Sequence, residues 1–183
     1  MITHKVYQRN YVLFLALGIS TVLLMYASPA QAGDYRWTVV GPASGHIYAL
    51  VFDPSTPSTL YVARYGGLSK TTNAGNHWTP INTGLTNTDV RALAVDPITP
   101  TIIYAGTYGG MFKSTNGGGN WTSINTGLSS TFVRAVAVNP ATPITLYVGT
   151  HSGGIFKSIN GGNNWTPVNA GLTNTQIRAL IID

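Results

Sequence analysis

The sequence predicts an all-β protein of propeller-type blades. Each blade is a sheet of four antiparallel strands, and about three complete blades form an incomplete, open propeller. Three observations lead there. Tryptophan recurs at a near-fixed period: Trp78 to Trp121 is 43 residues and Trp121 to Trp165 is 44. Between the tryptophans lie strand-length segments with turn signals at about ten-residue spacing, the pattern of an all-β array. Four such segments fill each period, which is the size of a propeller blade.

The chain begins with a segment that stands apart from the repeats. Lys5 and Arg9 make a basic start, residues 11–26 (YVLFLALGISTVLLMY) are 16 residues without charge, and ASPAQA follows at 27–32. Ala30 and Ala32 occupy the small-residue positions of a signal-peptidase site. Residues 1–32 therefore read as a signal peptide, since the apolar run is short for a membrane span. The rival reading is an uncleaved anchor helix. Either way the rest of the chain is expected to be secreted, periplasmic or otherwise extracytoplasmic, with no membrane contact after cleavage.

Residues 33–183 carry the repeats. There is no cysteine, which excludes a disulfide framework and a lipid anchor on cysteine. These 151 residues hold eight Lys/Arg against five Asp/Glu, a mild net +3 spread along the chain. No basic cluster points to nucleic acid. The length suffices to bury a core as one domain.

Within each repeat the elements follow in a fixed order. IYALVFDP (47–54), VRALAVDP (90–97) and VRAVAVNP (133–140) are first strands, and IRALIID (177–183) matches them. Their near-continuous apolar character predicts burial on both faces. The DP or NP pair ends each strand, because Asp or Asn starts a turn before proline. TLYVARYGG (59–67), IIYAGTYGG (102–110) and TLYVGTHSGG (145–154) are second strands ending in a glycine turn; Ser152 is the extra residue behind the longer last period. MFKST and its equivalents run back as third strands. Then come the octets TTNAGNHW (71–78), STNGGGNW (114–121) and SINGGNNW (158–165), and segments such as NWTSIN form the fourth strands. The blades span about 47–83, 90–126 and 133–169. YRWTVVG (35–41) reads as a partial fourth strand, and residues 177–183 as a partial first strand.

The octets carry a resemblance. Thr71, Asn73, Gly75 and Trp78, then Ser114, Asn116, Gly118 and Trp121, then Ser158, Asn160, Gly162 and Trp165 fit the pattern S/T-x-D-x-G-x-x-W. The chain thus resembles the Asp-box, or BNR, β-propeller superfamily over nearly all of residues 33–183. The resemblance implies a hairpin between third and fourth strands. In it the hydroxyl and carboxamide bond the turn backbone, glycine takes positive φ, and tryptophan packs beneath. All three copies have Asn where the family usually has Asp. Asn keeps the acceptor oxygen but loses charge, which counts against a metal there. The resemblance implies a structural role for the box, away from the ligand face.

Propellers close with about four to eight blades. Three blades leave two open sides, so the chain reads as a fragment of a larger propeller, or as a short stack that self-associates through its open blade faces. No cofactor or metal is expected: His46, His77 and His151 are too dispersed to make a metal site.

Ligand candidates come from positions that vary between copies on the face that usually binds. After the second strand stand Arg64 and Tyr65, Thr107 and Tyr108, then Thr150 and His151. Before the first strand stand His46, Asp89, Phe132 and Gln176. Variation there fits ligand recognition or unconstrained drift. Arg91, Arg134 and Arg178 recur at the start of first strands. They could line a channel and bind a carboxylate or sulfate, or cap carbonyls of the neighbouring blade.

No catalytic residue is assigned. Glu is absent, and Asp53, Asp96 and Asp183 belong to the repeated turn, where Asn139 replaces them. Asp34 sits at the expected new N-terminus, which leaves Asp89 as the one distinctive carboxylate. Usual glycoside hydrolysis needs two. The repeat is also similar to xyloglucanase-type glycoside hydrolases and sortilin-type receptors. In the former a catalytic Asp follows a Y-A-R-T run; here YVARYGG has Tyr65. Sialidases with Asp-boxes use a Tyr nucleophile with an arginine triad, and no such set is assignable. Photosystem II assembly factors of the superfamily are not enzymes. The reading is an exported, non-catalytic binding or scaffold module for a glycan or protein. The alternative is a fragment of a secreted glycoside hydrolase. NWT sequons at Asn120 and Asn164 matter only in a glycosylating host.

Overall fold

β-Branched and aromatic residues between glycine and proline turns supply the strands of this chain. The computed structural model describes residues 46–182, together with Leu23–Leu24 and Thr38–Val39. The strands are β1 (Leu23–Leu24), β2 (Thr38–Val39), β3 (Ile47–Phe52), β4 (Leu60–Arg64), β5 (Gly67–Thr71), β6 (Thr79–Pro80) and β7 (Val90–Val95). They continue as β8 (Ile103–Thr107), β9 (Gly110–Ser114), β10 (Thr122–Ser123), β11 (Val133–Val138), β12 (Leu146–Thr150), β13 (Ile155–Ser158) and β14 (Thr166–Pro167). No helix occurs among the described residues. β3–β6, β7–β10 and β11–β14 are three four-stranded antiparallel sheets, each in sequence order and none closed on itself. This is the expected all-β set of blades.

The sheets stack through their neighbours. β7 packs between β3 and β11, so the first strands stand side by side. One buried cluster lies between the first two blades, joining Tyr61 and Leu68 to Val90, Phe112 and Trp121. A second lies between the last two, joining Tyr104 and Met111 to Val133, Leu146, Phe156 and Trp165. The apolar core is therefore interfacial. A single blade would leave half of it in water.

Backbone and side-chain bonds repeat the same joint twice. Trp121 Nε1 donates to the Ile81 carbonyl at 2.8 Å and Trp165 Nε1 to the Ile124 carbonyl at 2.7 Å. Lys70 and Lys113 donate to the Gly117 and Gly161 carbonyls of the next blade at 3.2 and 3.1 Å. Each ammonium also lies over a tyrosine ring, Tyr61 or Tyr104. Trp78 is the exception: its Nε1 is buried without a partner among the described residues.

Three expectations need correction. Second strands, not first, are the most deeply buried; all five residues of β8 are buried. β11 alternates buried and half-buried residues, because one side of a first strand packs on a neighbour and the other turns inward. Fourth strands are two residues long and exposed. Pro80 and Pro167, which cannot donate to a ladder, sit in these outer strands. Residues 177–182 form no strand. Ile177 donates from its backbone to Thr150, yet no described segment offers the antiparallel partner that each first strand needs. At the other end, β2 lies within the expected partial strand 35–41 and pairs with β1, inside the expected signal segment. The rest of both segments lies outside the described residues.

Candidate functional site

Each first strand carries a β-bulge at its second residue. The register with the second strand slips between Ile47 and Ala49, between Val90 and Ala92, and between Val133 and Ala135. The residues left without a partner are Tyr48, Arg91 and Arg134. A bulge re-aims the side chain it carries. Here the same device is used three times, so three large side chains leave the sheets at equivalent points.

Neighbouring turns close around them. The backbone of Tyr108 donates to Asp89 and that of His151 to Phe132, at 3.0 and 2.8 Å. Gly66 donates to Thr88 at 3.0 Å. The turn after each second strand is thereby tied to the residues before the next or same blade's first strand. Tyr65, Asp89, Tyr108, Phe132 and His151 fall on one face as a result. Thr107 and Thr150, opposite Arg64 in the repeat, are buried and donate to the Gly110 and Gly154 carbonyls. They hold the turn rather than face a ligand.

The chemistry of this face is cationic and aromatic. Arg91 donates to both oxygens of Asp89, from Nε at 2.6 Å and Nη2 at 2.8 Å. The hydrogen bond to Asp89 raises the Arg91 pKa above its ordinary value, against the opposing effect of burial. The guanidinium lies 4.0 Å from the centroid of the Tyr48 ring in the preceding blade. Arg134 lies 4.7 Å from the centroid of Phe132. Phe132 also meets Tyr108 at 4.5 Å and His151 at 5.0 Å between centroids. Tyr65 and Tyr108 are 69% and 56% exposed. Arg178 is exposed, with no first strand beneath it.

Neither expectation for the recurrent arginines describes this arrangement fully. Arg91 is locked to a carboxylate of its own chain and stacked on the neighbouring blade, with no carbonyl cap among the described residues. Two residues were missed as partners. Tyr48 stands at the arginine position of the first repeat, which an alignment of the repeats displays. Phe132 stands at the Asp89 position and gathers Arg91, Tyr108, Arg134 and His151 around its ring, which no local pattern displays.

The octets form three near-identical turns on another part of each blade. Ser114 Oγ donates to Asn116 Oδ1 at 2.9 Å and accepts from Gly118 N–H at 2.9 Å; Asn116 Oδ1 accepts from Asn120 N–H at 2.9 Å. Thr71, Asn73 and Gly75 repeat the pattern, as do Ser158, Asn160 and Gly162. Gly118 has φ 91°, and a side chain there would run into Ile81 of the previous blade. Trp121 and Trp165 are 2% and 3% exposed. Asp53 and Asp96 cap their own turns through backbone N–H groups, as Asn139 does. No group of three or more His, Asp or Glu that could hold a metal occurs among the described residues.

No family model and no curated protein matches the chain. Solved structures do. A GH74 xyloglucanase from Xanthomonas campestris matches with TM-score 0.71 and 18% identity over 91% of this chain and 29% of its own. A nidogen/laminin complex matches with TM-score 0.67 and 13% identity, over 90% of this chain and 63% of that one. YCF48 bound to D1 peptide matches with TM-score 0.53 and 19% identity, over 67% and 40%. At these identities the likeness concerns the fold: blades of a partial β-propeller. The chain spans under a third of the GH74 enzyme it matches.

Proposed function

We propose that this chain is an exported, non-catalytic module of the Asp-box type, part of a larger propeller, which binds a glycan or protein on its bulge-bearing face. One observation carries the reading. The carboxylate on that face, Asp89, is held by Arg91 in a two-point pair, while Tyr65 and Tyr108 expose their rings beside it. A carboxylate so paired has both oxygens engaged within the chain. Exposed tyrosines are good contact residues, with apolar ring and polar tip. The octet hydrogen bonds support the Asp-box assignment and a structural role for those turns.

A second reading, a piece of a glycoside hydrolase, draws on the GH74 likeness; the catalytic carboxylates would then lie in blades outside this chain. Protein binding draws on YCF48, whose structure was solved with a peptide. The test is retention of the purified chain on an array of oligosaccharides and peptides, with Tyr65→Ala/Tyr108→Ala alongside. The reading expects binding that the double substitution removes. Binding indifferent to both tyrosines would place the ligand elsewhere and overturn it.

A further inference from the structure

The five positions around each bulge can be compared blade by blade. In the second blade they hold Tyr48, Tyr65, Asp89, Arg91 and Tyr108. In the third they hold Arg91, Tyr108, Phe132, Arg134 and His151. The two sets differ in one decisive place. Asp89 neutralises Arg91, but its counterpart is Phe132, which cannot neutralise Arg134. Arg134 lies instead over the Phe132 ring itself, at 4.7 Å, and has no anion. Among the described residues Arg134 has no ion pair and no hydrogen bond, although it is only half exposed to water. The His151 ring packs on the same Phe132 ring, at 5.0 Å between centroids.

A half-buried guanidinium without a counter-charge is an arrangement that a ligand anion would complete. The planar fork suits a carboxylate, which it can take through two parallel bonds. The Arg91–Asp89 pair shows this geometry one blade away. Phe132 and the exposed ring of Tyr108, 4.5 Å apart, offer flat apolar surface beside the charge. The turn backbones here are already bonded to one another, Tyr108 to Asp89 and His151 to Phe132. They leave little free edge for the strand addition by which extended peptides often bind. Recognition then falls to ring faces and polar tips, which suit the C–H face and hydroxyls of a sugar.

We infer that Arg134, with the Phe132–Tyr108 platform, binds the carboxylate of an acidic saccharide, a uronate-containing glycan. This rests on the binding reading above and narrows its ligand. The test is calorimetric titration of the full chain with a galacturonate oligosaccharide and with its methyl ester, which removes the charge and adds a methyl group. The acid should bind at least tenfold more tightly than the ester. Arg134→Gln should abolish that preference. Phe132→Asp, which supplies Arg134 with an internal carboxylate as in the second blade, should do the same with Arg134 still present. Near-UV circular dichroism establishes that both variants are folded.

Equal binding of acid and ester, no binding of the acid, or an Arg134→Gln variant that keeps the preference would each overturn the inference. A glutamate-rich peptide that binds as tightly as the saccharide would overturn the choice of glycan. A neutral glycan that binds through Tyr108 and ignores Arg134 would defeat this inference alone, leaving the broader reading intact.

Discussion

Removing the Trp121 side chain tests whether the blades are held as the structure indicates. Trp121 is 2% exposed, packs in the cluster shared by the first two blades, and donates to Ile81 at 2.8 Å. An aromatic side chain of this kind buries about 150–250 Å², worth about 4–6 kcal/mol at about 25 cal/mol per Å². Measured Trp→Ala losses in cores run about 3–5 kcal/mol. We expect Trp121→Ala to cost about 4 kcal/mol. With a urea slope of about 2 kcal/mol/M, the midpoint falls by about 2 M. A typical domain has about 5–15 kcal/mol in all, so much of the stability goes. Trp78 is an internal control, being half-buried with an Nε1 that has no partner among the described residues. Trp78→Phe should be near neutral, whereas Trp121→Phe should cost about 1–2 kcal/mol by stranding the Ile81 carbonyl. Urea unfolding followed by near-UV circular dichroism reads all three. An unchanged midpoint for Trp121→Ala, or equal losses for the two Phe variants, would refute the argument.

Other predictions follow from single contacts. Asn116→Asp should change stability by no more than about 0.5 kcal/mol, because Asn116 acts through its oxygen, which Asp retains; a larger urea shift would mean the amide nitrogen matters. Burial, with Asp96 adding to it, pushes the Tyr104 hydroxyl up from its ordinary 10 to about 12. The unfolded chain loses that proton first, so stability is whole below about pH 10 and falls by about 3 kcal/mol as pH rises to about 12. Tyr104→Phe should flatten that decline, and an unaltered decline would discount Tyr104. The third blade and the segment after it expose Val168, Leu172 and Ile181, while Ile81 and Leu85, and Ile124 and Leu128, at the same positions as Val168 and Leu172, are packed. Light scattering of residues 33–183 should therefore show self-association, and a sharp monomer would mean this surface is compatible with water.

What was legible in the sequence follows the range of each interaction. The box turns were legible because Ser114, Asn116 and Gly118 bond within a few residues, so composition alone specifies them. The period was legible because Trp121 and Trp165 fill the same joint between successive blades and Trp78 stands one period before them. The bulges were not, since Arg91 and Tyr48 look like ordinary strand residues and the slip exists only in the pairing with the second strand. The repeated Ile-Asn-Thr-Gly-Leu at 81–85 and 124–128 was visible, yet its purpose was not. Asn82 and Asn125 reach back 14 residues to the Leu68 and Met111 N–H groups, both at 2.7 Å. IRALIID misled because its pattern is that of a strand, while a strand forms only when another segment pairs with it. Phe132 was seen as one of a varying set; that it stands where a carboxylate neutralises Arg91 emerges only when both blades are in view.

The claim that this face binds without catalysis is tested most directly by turnover. The purified chain would be incubated with a panel of glycosidase substrates, and released reducing sugar measured for the parent and for Asp89→Asn. Asp89 is bound on two sides by Arg91, so the account predicts no turnover by either protein. Clear turnover by the parent that is lost in Asp89→Asn would contradict it, and would make Asp89 a catalytic carboxylate instead of a partner for Arg91.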